Sequence, residues 1–327
     1  MLSLHTNAAA LSAQNAITRN QSSLATSQTR LSTGFRVNSA MDDAAGLQIA
    51  TRLQYQTSGI AVAMRNTQNS ISMMQTAEGA LNETTNILTR MKDLATQSAD
   101  GSSTNADRTA MQAEFDALGK ELTNIVGNTS FGGTTLLANT ANAKFANAIN
   151  FQIGASSSEQ MSVDLTTDLY GAAGGGGGNP GGTNTGAALA GSGGLHGALA
   201  TATAWFSGDG NAANSVNGSS ATGATTVGTE IATASAANTS IDNLAKAIDA
   251  VSTVRSDLGA ASNRLDHIYN NLANVSTNTK AATGRIIDTD FAAESSNMTS
   301  NQMLLQAGTA MLKQSNSTSS LVLSLLQ

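Results

Sequence analysis

Side chains able to do chemistry are sparse in this chain. Cysteine is missing altogether, which excludes a disulfide framework, a thiolate metal centre and a cysteine nucleophile. The three histidines, His5, His196 and His267, lie far apart, and none belongs to a His-Glu-x-x-His pair. Gly176-Gly-Gly-Asn-Pro-Gly181 spells GxGxxG, but polyglycine produces that string by chance, with no strand before it and no helix after it. No phosphate-cradling GxxxxGK[ST] occurs. Asp42 and Asp43 are adjacent carboxylates. Neighbours on a turn serve as helix caps or ion-pair partners, whereas an acid–base dyad draws its members from different elements. Asn-x-Ser/Thr triplets such as Asn217-Gly-Ser219 carry little information in a chain so rich in Asn, Ser and Thr. No catalytic, cofactor-binding or metal-ligating set emerges, so neither an enzyme nor a cofactor is expected.

Composition points the same way. The chain has 327 residues, of which 12% are charged, about half the usual ~25%. Aromatics make up 3%, with a single proline, Pro180, and a single tryptophan, Trp205. A net charge of −6 argues against nucleic acid, which selects a basic face. Apolar stretches fall short of the ~20 residues that span a bilayer, so no membrane insertion is expected. The start, Met1-Leu-Ser-Leu-His5, lacks a basic region and an apolar run, so a cleaved secretory signal is not expected either.

The elements that organise these residues fall into three composition zones. Residues 171–240 hold 18 of the 31 glycines, the proline, and only Asp209 and Glu230 as charges. Such a stretch loses much backbone entropy on ordering and has few large side chains to offset it, so it reads as a loop-rich insert. On its C-terminal side Leu244, Val251, Leu258, Leu265 and Leu272 recur every seven residues, continued by Thr279 and Ile286. Ala247, Val254, Ala261, Ile268, Val275 and Ala282 follow three positions behind, an a/d pattern that predicts a coiled coil. Asp242 is a candidate cap for its start and Gly284 for its stop. On the N-terminal side Leu53, Ile60, Thr67, Met74, Leu81, Leu88 and Ala95 form a matching row that ends near Asp100-Gly101. A further helix is predicted from about Asn105 to Val126, with Phe115, Leu118, Leu122 and Ile125 on one face and Gly127 closing it. Residues 143–153 and 160–165 read as a β-hairpin around Gly154 to Glu159.

Two terminal helices lie outside this bundle. Leu4, Leu11, Ile17, Leu24 and Leu31 line the first, and Phe291, Met298, Leu305, Leu312 and Leu326 the last. Residues 1–29 carry one formal charge, Arg19, and residues 291–327 carry Glu294 and Lys313. An exposed helix normally has a charged outer face. These have Ser, Thr, Asn, Gln and Ala instead, which suits packing against copies of the same chain without buried like charges. The plainer reading is an ordinary Ala-rich helix pair.

At this point the residues resemble bacterial flagellin. Leu4-His-Thr-Asn7, Arg30-Leu-Ser-Thr-Gly-Phe-Arg-Val-Asn38, Met41-Asp-Asp-Ala-Ala-Gly46, Gln75-Thr-Ala-Glu-Gly-Ala-Leu-Asn82 and Asp93-Leu-Ala-Thr-Gln-Ser-Ala99 resemble the family's N-terminal signature. Arg264-Leu-Asp266, Asn270-Asn-Leu272, Asp288-Thr-Asp-Phe-Ala-Ala-Glu294 and Leu323-Ser-Leu-Leu-Gln327 resemble its C-terminal one. The fold expected is mainly α: a long antiparallel α-helical coiled-coil bundle formed by both chain termini, with a small β-hairpin region and a glycine-rich variable insert.

The resemblance implies a structural subunit that polymerises with itself into the filament used for motility. It implies terminal helices at 1–42 and 286–327 as an inner tube, a bundle at 43–170 and 241–285 as an outer tube, and 171–240 facing solvent. Leu4, Leu11, Leu24, Leu31, Phe291, Met298, Leu305, Leu312 and Leu326 are then assembly residues. Asp42 and Asp43 lie in the inter-domain turn, as caps or ion-pair partners of Arg36 or Arg285. Arg90, Leu94 and Glu114 occupy the positions matching the epitope of the flagellin-sensing Toll-like receptor, an innate immune receptor. The family's other partners are the export chaperone, the filament cap and the hook–filament junction proteins, and its location is extracellular, reached through the flagellar type III apparatus. Three rivals are a flagellin-like junction protein, a metalloprotease graft in the insert, and an adhesin built around Trp205-Phe206. The missing His-Glu-x-x-His counts against the second.

Overall fold

A computed structural model describes residues 7–140, 142–171, 194–203 and 228–325, with side chains as far as 317. Among the described residues seven helices dominate: α1 (Ala8–Thr33), α2 (Ala44–Ala99), α3 (Asn105–Asn128), α4 (Thr166–Tyr170), α5 (Gly194–Ala202), α6 (Ala234–Ile287) and α7 (Phe291–Leu325). Strands β1 (Ser130–Phe131) and β2 (Thr134–Thr135) pair antiparallel across Gly132 and Gly133. Both glycines have positive φ, 59° and 82°, as a tight hairpin turn of this hand requires. Strands β3 (Ile149–Gln152) and β4 (Gln160–Val163) form the second ladder, with Ile149 opposite Val163 and Phe151 opposite Met161.

The chain divides into two compact units, Met1–Ser58 with Val275–Gln327, and Gly59–Asn274. In the second unit the two heptad rows meet as their spacing predicts. Met74, Leu81, Leu88 and Ala95 of α2 share one core with Leu244, Val251, Val254, Leu258 and Leu265 of α6. Phe115, Leu122 and Val126 of α3 close it, and Leu136, Leu137, Phe145 and Met161 extend it over the β region. The end of α2 adjoins the approach to α6, where the Ser98 hydroxyl donates to the Ile231 carbonyl, so these two helices run antiparallel. Burial of the C-terminal row fades after Leu265: Ile268 and Leu272 are half-buried, and Val275 is 37% exposed.

Several boundaries differ from the sequence expectation. Helix α6 starts eight residues before Asp242, because Thr233 caps it, its hydroxyl accepting from the Ala236 N–H at 3.2 Å. Gly284 lies inside α6 rather than ending it. A Cβ there would meet the Asp288 carboxylate, so glycine makes room for that side chain. Gly127 is likewise inside α3 and buried. A reciprocal capping box between Thr104 and Asp107 starts α3. Hydrogen bonds from Thr104 hold the Asp107 carboxyl below its ordinary range. Residues 144–146, expected in the hairpin, form a 3₁₀ turn. The insert is not uniformly loop. Its residues 194–202 form α5, which packs on α4 and buries Leu195, His196, Leu199 and Ala202. The glycine run 174–178 and Trp205-Phe206 lie outside the described residues.

Candidate assembly surface

In the first unit α1 and α7 pack side by side. Asn7 caps α1, its side-chain oxygen accepting from the Ala10 N–H at 3.1 Å, and its amide reaches across to the Ser315 carbonyl at 3.3 Å. Gly34, at φ 76°, closes α1 in the left-handed conformation. Gly308 of α7 sits where a Cβ would come within 3.0 Å of Ile17, so the helices approach closely there. Leu24, Leu31, Met298, Leu305 and Leu312 are half-buried along this pairing. Arg30 and Glu294 face each other at 3.8 Å.

Among the described residues several large apolar side chains of the pair stay exposed between polar ones. Leu11 is 62% exposed, Phe291 56%, Met303 60%, Leu304 50% and Met311 67%. Hence the expected assembly residues split: Leu11 and Phe291 stand outward, while five others serve first to join α1 to α7. Leu4 and Leu326 lie outside the described residues.

The links α1–α2 and α6–α7 are clasped together by backbone. Arg36 N–H donates to the Ile287 carbonyl at 2.6 Å and Thr289 N–H to the Gly34 carbonyl at 2.9 Å. Phe35 and Asp288 form the antiparallel bridge between them. The Arg36 guanidinium adds a bond to the Ile286 carbonyl at 2.7 Å. Asp42 accepts from the N–H groups of Asn38 and Ser39 at 3.1 and 2.9 Å, and these bonds hold its carboxyl below the ordinary range. Asp43 accepts from Gly46 N–H at 2.8 Å and so caps α2. Among the described residues no ion pair joins either aspartate to Arg36 or Arg285. Short carboxylates facing free N–H groups find backbone partners within four residues.

In the second unit the Arg90 guanidinium donates through Nε and Nη2 to one Glu114 oxygen, at 2.9 and 2.7 Å. Both side chains are about half exposed, at 54% and 46%. Leu94, one turn along the same face of α2, is 2% exposed and belongs to the core. The three residues therefore cluster, but only the charged pair reaches solvent.

Two interior polar groupings escape a periodicity reading. Gln112 donates to Asp116 at 2.7 Å and to the buried Glu230 at 2.6 Å, and accepts from Ile231 N–H at 2.8 Å. It ties α3 to the segment that returns from the insert. His196 of α5 stacks on Tyr170 of α4, ring centroids 4.9 Å apart and 17° from parallel. Burial pushes the His196 pKa down to about 4 and raises that of Tyr170. The Tyr170 hydroxyl donates to the Ala138 carbonyl at 2.9 Å. Among the described residues no group of three potential ligands could hold a metal ion. No described helix is long and apolar enough to cross a membrane.

Residues 4–142 match the family described as the bacterial flagellin N-terminal helical region, and residues 241–326 match the bacterial flagellin C-terminal helical region. Flagellin A of Vibrio anguillarum is 38% identical over 382 aligned positions, covering 100% of both chains. Polar flagellin F of Vibrio parahaemolyticus is also 38% identical, covering 99% of each. Among solved structures, the crystal structure of Bacillus cereus flagellin aligns with 67% of this chain and 94% of its own, at 27% identity and a TM-score of 0.43. Matches at both ends, and relatives that run the full length, show that the chain belongs to the bacterial flagellin family.

Proposed function

We propose that this flagellin joins its neighbours in the extracellular flagellar filament through the outer faces of α1 and α7. As a member of the family it is a structural, self-polymerising protein and not an enzyme. The observation that carries the assignment of faces is the exposed apolar set Leu11, Phe291, Met303, Leu304 and Met311 on two helices nearly free of charge. Burying that set against a copy removes apolar area from water, at ~25 cal/mol per Å², and desolvates few ions. On this reading residues 1–42 and 286–327 form the inner tube, 43–170 and 241–285 the outer one, and 171–240 reach solvent. The filament serves motility. The subunit leaves the cell through the flagellar type III apparatus with an export chaperone, and is placed between junction and cap proteins.

The test is seeded growth: purified subunit added to filament fragments elongates them, as seen by electron microscopy. Subunit that stays monomeric with intact ends sinks the proposal.

The clasp region sets subunit orientation when the filament changes supercoil. Asp43→Ala removes the α2 cap, at a cost of about 0.5–2 kcal/mol, and alters filament waveform across pH. An unchanged waveform at every pH removes Asp43 from that role.

Recognition by the flagellin-sensing Toll-like receptor centres on the exposed Arg90–Glu114 pair, with Leu94 supporting it from beneath. Arg90→Ala lowers signalling in receptor reporter cells and leaves the melting temperature almost unmoved, since an exposed pair contributes about 0–1 kcal/mol. Undiminished signalling by Arg90→Ala combined with Leu94→Ala excludes this surface.

A further inference from the structure

We propose that Met303 and Met311 of α7 are peroxide-sensitive modification sites whose oxidation blocks addition of the subunit to a filament. The proposal rests on the assembly faces assigned above. Both thioethers are open to solvent, 60% and 67% exposed. Met311 shares a stripe with Leu304 seven residues earlier, itself 50% exposed, and this stripe flanks the Gly308–Ile17 approach to α1. The sulfurs thus stand with Leu304 among the exposed apolar side chains of α7. The other methionines provide internal contrasts. Met73, Met74, Met91, Met111 and Met161 are buried in the bundle, Met64 and Met298 are half-buried, and Met41 is 97% exposed on the turn after the clasp.

The step needs no protein group beyond the thioether itself. A lone pair on sulfur attacks one oxygen of a hydroperoxide, forming S–O as O–O breaks. Sulfur is oxidised by two electrons to the sulfoxide. The peroxide is reduced to water or an alcohol, and the proton of the transferred hydroxyl ends on the departing oxygen. An apolar, flexible side chain becomes polar and chiral. A contact that closes over Met303 and Met311 must then desolvate the new S–O oxygen as well. Burying it unmatched opposes association. Within a filament the same sulfurs are covered, so the vulnerability belongs to the free subunit.

The test exposes free subunit and intact filaments to the same hydrogen peroxide, maps oxidation by peptide mass spectrometry, and then measures seeded elongation. Free subunit gains oxygen at Met41, Met303 and Met311, and its elongation falls by about tenfold or more, the equivalent of one unmatched buried polar group. The Met303→Leu, Met311→Leu double variant elongates equally before and after peroxide, although Met41 is still oxidised. Methionine sulfoxide reductase restores the wild type. Full elongation by oxidised wild type, equal loss in the double variant, or oxidation of Met303 and Met311 as fast in filaments as in free subunit overturns the proposal. Failure of untreated subunit to elongate instead removes the assembly reading beneath it.

Discussion

Deleting residues 291–327 abolishes seeded elongation while leaving the bundle core folded. The two units explain the separation. Helix α7 packs along α1, and both belong to the unit built from the chain ends. The core of Gly59–Asn274 contains no residue beyond Leu265 among its fully buried members. Its large side chains, Leu81, Leu88, Phe115, Leu122, Leu244, Leu258 and Leu265, are each 0–1% exposed, and each contributes roughly 1.5–3 kcal/mol by burial. Truncation touches none of them. It strips Met298, Leu305 and Leu312 from α1 and removes Phe291, Met303, Leu304 and Met311 from the outward face. The thermal transition of the bundle, followed by circular dichroism, should stay in place while filament growth disappears. Loss of the bundle transition together with growth, or growth that survives, contradicts this division of labour.

The features that sequence made legible are those with a period or a composition behind them. Seven-residue rows reported the α2 and α6 core faces because burial on a helix repeats nearly every seven residues. Charge depletion marked α1 and α7 because a desolvated ion is costly wherever the partner comes from. What stayed hidden depends on contacts between distant residues. Nothing local shows that Arg36 bonds the Ile286 carbonyl or that Gln112 meets Glu230. Helix α5 escaped because its nine residues lie inside a glycine-rich composition, and its order comes from packing on α4 rather than from propensity. Leu94 shows the converse hazard: a position can match a recognition motif while its side chain is committed to the core.

The second large effect is loosening of α5 by acid. Folded, His196 is held neutral by burial, with a pKa down to about 4, against a weaker opposing bond to the Leu137 backbone. Unfolded, it titrates near the ordinary 6.5, so the unfolded chain takes up the proton first as pH falls. The folded state keeps its full advantage above about pH 6.5 and loses it progressively down to about pH 4, where the loss reaches about 3 kcal/mol. Asp168 in the neighbouring α4 works the other way. Its pKa is raised by burial and by the Asp257 carboxyl beside it, so acidification relieves a repulsion there. Protection of the amides at residues 195–202, measured relative to the intrinsic exchange rate at each pH, should therefore fall between pH 6.5 and 4. His196→Leu should remove that dependence, and Asp168→Asn should steepen it by deleting the opposing group. Protection that is flat with pH in the wild type, or a dependence unchanged by His196→Leu, rules out His196 as the cause.

The backbone clasp at Phe35 and Asp288 also constrains the order in which the chain can fold. It joins residues about 250 positions apart, and α1 packs along α7 from the other end of the sequence. Closing so long a loop before anything else is ordered is entropically unfavourable and slow. The bundle, whose α2–α3 hairpin is local in sequence, can collapse first and bring the two ends near. Its formation converts a long loop into a short one, leaving the end-built unit as the last to form and the first to open.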